Sequence, residues 1–116
     1  MFAQRFQALD TLPQREIQPG VRIRIVTGAQ LMLSIVDLDE DATVPTHQHP
    51  HEQSGYVLAG ALEMWIGDER RLLGPGDVYV VAGGTTHGAR AAGGPARVLD
   101  AFHPVREEYV ALFRER

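Results

Sequence analysis

Seven residues near the middle of the chain, His47-Gln48-His49-Pro50-His51-Glu52-Gln53, concentrate side chains that can bind a metal ion. In an extended strand, residues two apart project to the same side, so His47 and His49 can grip one ion from one face. His87, just past the Gly83-Gly84 turn, returns a third imidazole from a distant stretch of chain. Imidazole nitrogen suits zinc, iron, nickel, cobalt or manganese, bound at roughly 2.0–2.2 Å. There is no cysteine, which excludes disulfides, thiol nucleophiles and thiolate metal sites. Any metal must therefore sit on nitrogen and oxygen. His51 has the parity of the histidine pair, but Pro50 is expected to turn the strand aside and leave it at the rim. Glu52 has the opposite parity and is expected to face solvent.

Asp100 is a second candidate for chemistry. Alternation over residues 96–103 puts Ala96, Val98, Asp100 and Phe102 on one face and Arg97, Leu99, Ala101 and His103 on the other. Asp100 thus shares the more apolar face, the one expected to point inward. A carboxylate there is costly unless it pairs with a cation or has a proton to move. Desolvation would raise its pKa, whereas a nearby metal would lower it. Tyr56, Met64 and Trp65 read as core or pocket lining.

The elements that must carry these groups are short and punctuated by turn residues. Residues 1–20 read as an arm, partly ordered at best, ending at Pro19-Gly20. Residues 21–27 alternate, with Val21, Ile23 and Ile25 opposite Arg22 and Arg24. Residues 30–38 are apolar on both faces, Leu31, Leu33 and Ile35 against Met32, Val36 and Leu38. A strand of that kind in so small a domain needs cover on its outer side, and a second copy of the chain is the simplest supplier, so a homodimer is expected. Residues 56–58 and 61–66 suggest a strand pair bending at Gly60. Gly67-Asp68 suggests a hairpin turn, and residues 73–77 a tight turn before a β-rich run over 78–81. A last strand covers 96–102, and from Pro104 a short helix is expected with Val105, Tyr109, Leu112 and Phe113 on one face. Many short strands with glycine-rich turns point to an all-β sandwich or barrel.

Bulk properties narrow the partners. At 116 residues the chain is expected to be one domain: arm 1–20, barrel 21–103 and helix 104–116. A formal charge of -4 with scattered arginines offers little to nucleic acid or to an anionic membrane. No stretch approaches a membrane span, and the first ten residues carry charge and amides where a signal peptide needs an apolar run. A cytoplasmic protein acting on a small molecule is expected.

The histidine spacings resemble the cupin superfamily, whose first motif is G-x5-H-x-H-x3,4-E-x6-G and whose second is G-x5-P-x-G-x2-H-x3-N. His47, His49, Gln53 and Gly60 fall on the first in register, and Gly76, Gly84 and His87 on the second. The resemblance covers roughly residues 20–103 and implies a double-stranded β-helix (jelly-roll) barrel, with His47, His49, Gln53 and His87 holding one divalent transition metal ion (zinc, nickel, iron or manganese). Asp41, Ala82 and Ala91 replace a glycine, a proline and an asparagine of the pattern, and Gln53 replaces its glutamate. Only Gln53 touches the chemistry. A neutral amide leaves the metal one unit more positive, hence a stronger Lewis acid.

Within that superfamily, His-Pro-His-Glu-Gln and the later Asp100, Phe102 and Arg106 resemble the KdgF-type pectin-degradation cupins, which carry an Asp-x-Phe-x3-Arg element after the last strand. The resemblance implies opening of 4,5-unsaturated monouronates. The metal would polarise sugar oxygens, Asp100 would move the proton, Arg106 would clamp the substrate carboxylate, and Phe102 would wall the pocket. Two other functions fit the same residues: a metal-dependent dioxygenase of an enol substrate, and a non-catalytic sugar- or metal-binding module.

Overall fold

The computed structural model describes residues 5–114, so residues 1–4 of the expected arm and 115–116 of the expected helix lie outside the described residues. Among the described residues a single 3-10 turn (Leu9–Thr11) is followed in order by ten strands and one α-helix. They are β1 (Arg15–Gln18), β2 (Val21–Thr27), β3 (Met32–Leu38), β4 (Thr43–His47), β5 (Glu52–Ala59), β6 (Leu62–Ile66), β7 (Glu69–Leu73), β8 (Val78–Val81), β9 (His87–Ala91), β10 (Ala96–His103) and α1 (Glu107–Arg114). The strands make two antiparallel sheets, one ordered β1-β2-β3-β10-β5-β8 and the other β4-β9-β6-β7. After β3 the chain changes sheet at almost every connection, which is what the jelly-roll expectation requires. The inner faces enclose a core that includes Ile23, Leu38, Val57, Leu62, Met64 and Val81.

Period-two patterning explains which face each strand buries. β3 buries Met32, Ser34, Val36 and Leu38, and β10 buries Ala96, Val98, Asp100 and Phe102. The arginines of β2 project outward, where Arg22 meets Asp39 at 3.0 Å and Arg24 meets Asp37 at 2.9 Å. The outer side of the larger sheet is apolar along two cross-strand rows. Leu33, Ala101 and Val80 form one around Ser54, and Ile35, Leu99, Tyr56 and Val78 form the other. The second apolar face of β3 is therefore on the surface of the single chain, with Leu31 and Leu33 exposed.

Three expectations need correction. The arm is ordered from Arg15, because Ile17 packs on the core and β1 pairs with β2 as an edge strand. Residues 56–58 and 61–66 do not pair with each other. β5 lies between β10 and β8, β6 lies between β9 and β7, and Gly60 is the corner where the chain passes from one sheet to the other. Its φ of 78° and its contact with the Pro95 carbonyl leave no room for a Cβ. The helix starts at Glu107 rather than Pro104, and it docks Tyr109 and Phe113 against the core. The hairpin at Gly67 and the turn before Asp77 form where expected. Among the described residues no helix is long and apolar enough to cross a membrane.

Candidate metal centre and adjoining cavity

His47 ends β4 and His87 opens β9, and the antiparallel register sets them directly opposite one another. His49 follows in the connection to β5, and Gln53 is the second residue of β5. The three imidazoles converge, with the His47 and His87 ring centroids 4.3 Å apart and those of His49 and His87 4.9 Å apart. One ligating atom from each lies within 4.8 Å of the others.

Hydrogen bonding settles which atoms those are. The Nδ1 atoms of His47 and His87 lie 2.8 Å from the carbonyl oxygens of Pro45 and Thr85, and that of His49 lies 3.2 Å from the carbonyl of His51. A carbonyl only accepts, so each Nδ1 carries a proton, and in the neutral ring that leaves Nε2 as the atom with the lone pair. The Gln53 Oε1 sits 3.1 Å from His49 Nε2 and 3.2 Å from His87 Nε2. These are acceptors facing acceptors in a buried place, an arrangement that a cation at its centre would satisfy. The residues fit a divalent metal on nitrogen and oxygen. Burial, then the Arg106 charge and the neighbouring His87, lowers the His49 pKa to about 4. The His87 pKa is also lowered, chiefly by burial. Both rings are neutral at pH 7, as ligation requires.

His51 does not join this group. Its role is the backbone carbonyl that orients His49, and its own ring lies half-buried beside it. Glu52 is exposed, as its parity predicts.

Asp100 points inward and is 7% exposed. Burial raises its pKa to about 6, against the opposing effects of Tyr79, Gln53 and Arg106. Tyr79 donates its hydroxyl proton to Asp100 Oδ1 at 2.6 Å. Phe102, one turn of the pleat away, stands edge-on to His49 with centroids 5.7 Å apart. Arg106, only 6% exposed, has its guanidinium carbon 3.9 Å from the Tyr109 ring centroid and 5.0 Å from that of Phe102. Its Nη2 donates to Glu108 at 2.7 Å, while its buried Nε finds no acceptor among the described residues.

His47, Gln53, His87, Asp100, Phe102 and Arg106 all line one cavity of about 50 Å3 between the sheets. This cavity shares Ile17, Val44, His47, Arg106 and Tyr109 with an outer groove of about 510 Å3. The candidate ligands, acid/base and carboxylate clamp are thus brought together, with His49 tied to the group through His87 and Gln53 rather than lining the cavity. Sequence reasoning missed Tyr79, Tyr109 and Ile17. Tyr79 has the inward parity of Val81, which was a signal, but its reach to Asp100 depends on strand order. Of the three residues expected to line core or pocket, only Met64 does so. Tyr56 faces outward on β5, and Trp65 lies on the outer side of the smaller sheet, where it donates to Thr46 and covers Gly88. Both have the strand parity opposite to their buried neighbours.

Known proteins match this chain along most of its length. The cupin domain family model matches residues 34–102. The pectin degradation protein KdgF of Dickeya dadantii (strain 3937) is 31% identical over 103 residues, 87% of this chain and 94% of that protein. Among solved structures, KdgF from Halomonas sp. is 35% identical and superposes with a TM-score of 0.86, covering 92% of this chain and 99% of that one. An RmlC-like cupin from Shewanella frigidimarina NCIMB 400 superposes with a TM-score of 0.87 over 92% of this chain and 96% of its own, and its 24% identity speaks for the fold. The chain belongs to the cupin family, among its KdgF-type members.

Proposed function

We propose that this protein is a metal-dependent isomerase or lyase that opens 4,5-unsaturated uronate-type sugars. The observation that carries the reading is convergence. A buried carboxylate, a buried guanidinium whose Nε–H has no acceptor among the described residues, and the imidazoles of His47 and His87 line one cavity, and His49 joins those two in a three-histidine cluster, in a relative of a pectin degradation protein.

A zinc, nickel, iron or manganese ion held by His47, His49, Gln53 and His87 would supply Lewis acidity toward the sugar oxygens. The other side chains divide the remaining work. Arg106 offers its Nε–H to the substrate carboxylate, a charge-assisted bond that gives this buried donor an acceptor. Phe102 walls the pocket between that guanidinium and His49. Opening breaks the bond between the ring oxygen and the anomeric carbon; the anomeric hydroxyl gives up its proton and becomes an aldehyde carbonyl, and the former ring oxygen takes up a proton, which leaves an enol. Asp100 takes the enol proton and returns one to the ring carbon at the far end of the former double bond, giving the ketone. A carboxylate with a pKa of about 6 suits both halves of that transfer near neutral pH. In this reading the two sheets work as a jelly-roll barrel whose mouth is the cavity.

Loss of ultraviolet absorbance from a 4,5-unsaturated galacturonate tests the reading, with native protein, chelated protein and Asp100→Ala compared against the protein-free rate. Native protein is expected to exceed the blank under nitrogen as well as in air, and both other samples to fall toward it. Native protein matching the blank would sink the uronate reading, and consumption of oxygen would transfer support to a dioxygenase.

A further inference from the structure

We propose that Tyr79 is the positioning residue of Asp100, and that Gly55 is glycine so that Tyr79 can reach it. The inference rests on the proton-transfer reading above.

The strand register supplies the argument. Asp100 pairs with Ser34 on one side and Gly55 on the other, and Gly55 pairs with Tyr79. Ser34, Asp100, Gly55 and Tyr79 therefore form one inward-facing row across β3, β10, β5 and β8. Tyr79 lies two strands from Asp100, about 10 Å across the sheet. Its side chain spans that gap only by lying flat over the intervening residue. A Cβ on Gly55 would run into Cζ, Cε1 and Oη of Tyr79, so the absence of a side chain there opens the path. At its end the hydroxyl meets Asp100 Oδ1 at 2.6 Å. The other neighbour in the row does not take this role, because the buried Ser34 Oγ has no hydrogen-bond partner among the described residues.

Phenylalanine would fill the volume of Tyr79 without bringing a polar group into the core. The buried hydroxyl is worth its desolvation because it satisfies the carboxylate and is satisfied by it. It holds one oxygen of Asp100 and, together with the Gln53 side chain that also bonds this carboxylate, fixes the rotation of the carboxyl group in the cavity lined by Gln53, His47 and His87. Tyr79 acts through Asp100 and transfers no proton to the sugar itself.

Tyr79→Phe and Gly55→Ala test this in the metal-loaded protein, with the unsaturated galacturonate as probe. Tyr79→Phe is expected to keep its metal stoichiometry and its KM within about twofold, and to lose roughly 10- to 100-fold in kcat, the scale of a misplaced reacting group. Gly55→Ala, which displaces the ring, is expected to lose a similar factor. If that variant does not fold, Tyr79→Phe decides. A kcat within twofold of native would overturn the proposal, and so would parallel losses of metal, KM and kcat, which would mark a merely structural tyrosine. Native protein no faster than the blank would sink the uronate reading instead. The crystal structure of Tyr79→Phe then judges the positioning claim separately: a turned Asp100 carboxyl supports it, and an unmoved one overturns it.

Discussion

Asp100 and His49 are displaced from their ordinary pKa values in opposite senses by the same cause, burial; the Arg106 guanidinium adds to the shift of His49 and opposes that of Asp100. For Asp100 the folded value of about 6 lies above the ordinary 3.8. The neutral acid is the form the fold prefers, so its contribution to stability is full below pH 3.8 and is lost as pH rises through about 6. For His49 the folded value of about 4 lies below 6.5, so its contribution is present above pH 6.5 and is lost as pH falls through about 4. Asp100→Asn isolates the first effect, because the His49 contribution is common to both proteins. In chelated protein the variant is expected to gain on the native chain by up to ~3 kcal/mol between pH 4 and pH 7, at about 1.4 kcal/mol per pKa unit. Urea unfolding across that range reads the difference, and a flat difference would contradict a buried, raised Asp100.

The sheet-to-sheet corners are the elements that bring the ligands together. β4 and β9 deliver His47 and His87 from the smaller sheet, while β5 delivers Gln53 from the larger one. Gly60 governs the passage from β5 to β6, with a φ of 78° and the Pro95 carbonyl where a Cβ would go. Gly60→Ala combines a left-handed backbone with a collision against main chain. It is expected to destabilise the protein by roughly 2–4 kcal/mol, visible as a lower midpoint of urea unfolding with an unchanged slope. An effect under ~0.5 kcal/mol would mean that the corner relaxes freely. The pattern of glycines marked a bend here, but not which strands it separates, because an apolar strand pairs equally well with several partners.

At the scale of the whole molecule, the metal and the outer face matter most. An ion held by residues of both sheets would tie them together, so its removal would act on the fold as a unit. At a hundredfold excess over Kd, bound metal adds ~2.7 kcal/mol. Chelation is therefore expected to lower Tm by about 10 °C in a chain of this length. An unchanged Tm on chelation would argue against the site. The outer rows through Leu33, Leu99, Tyr56, Val78 and Val80 present a contiguous apolar surface ending at the free edge strand β8. We propose that a second copy of the chain covers it through the same face, as a two-fold interface demands. Val80→Glu places a charge in its midst. Sedimentation velocity is expected to show dimer for the native chain and monomer for the variant, and a native monomer would refute the interface.

Local pattern was enough to bring out candidate metal ligands and the inward face of β10. Asp100 alternates with Val98 and Phe102 along β10, so its orientation follows from a period of two whatever the strand pairs with, whereas His49 lies past the end of β4 and is placed by the connection to β5. The cupin spacing then added Gln53 and set His87 in register with the pair, and the KdgF-type element added the roles of Phe102 and Arg106. Pairing order is different, because it is set by long-range burial that no window of sequence contains. It decided that Ile17 joins the edge of the larger sheet, that Gly60 is a corner, and that Tyr56 and Trp65 lie outside. The partnership of Tyr79 with Asp100 has the same origin: the two residues are 21 apart in the chain, and only the placement of β5 between their strands, with glycine at the crossing, brings hydroxyl and carboxylate together.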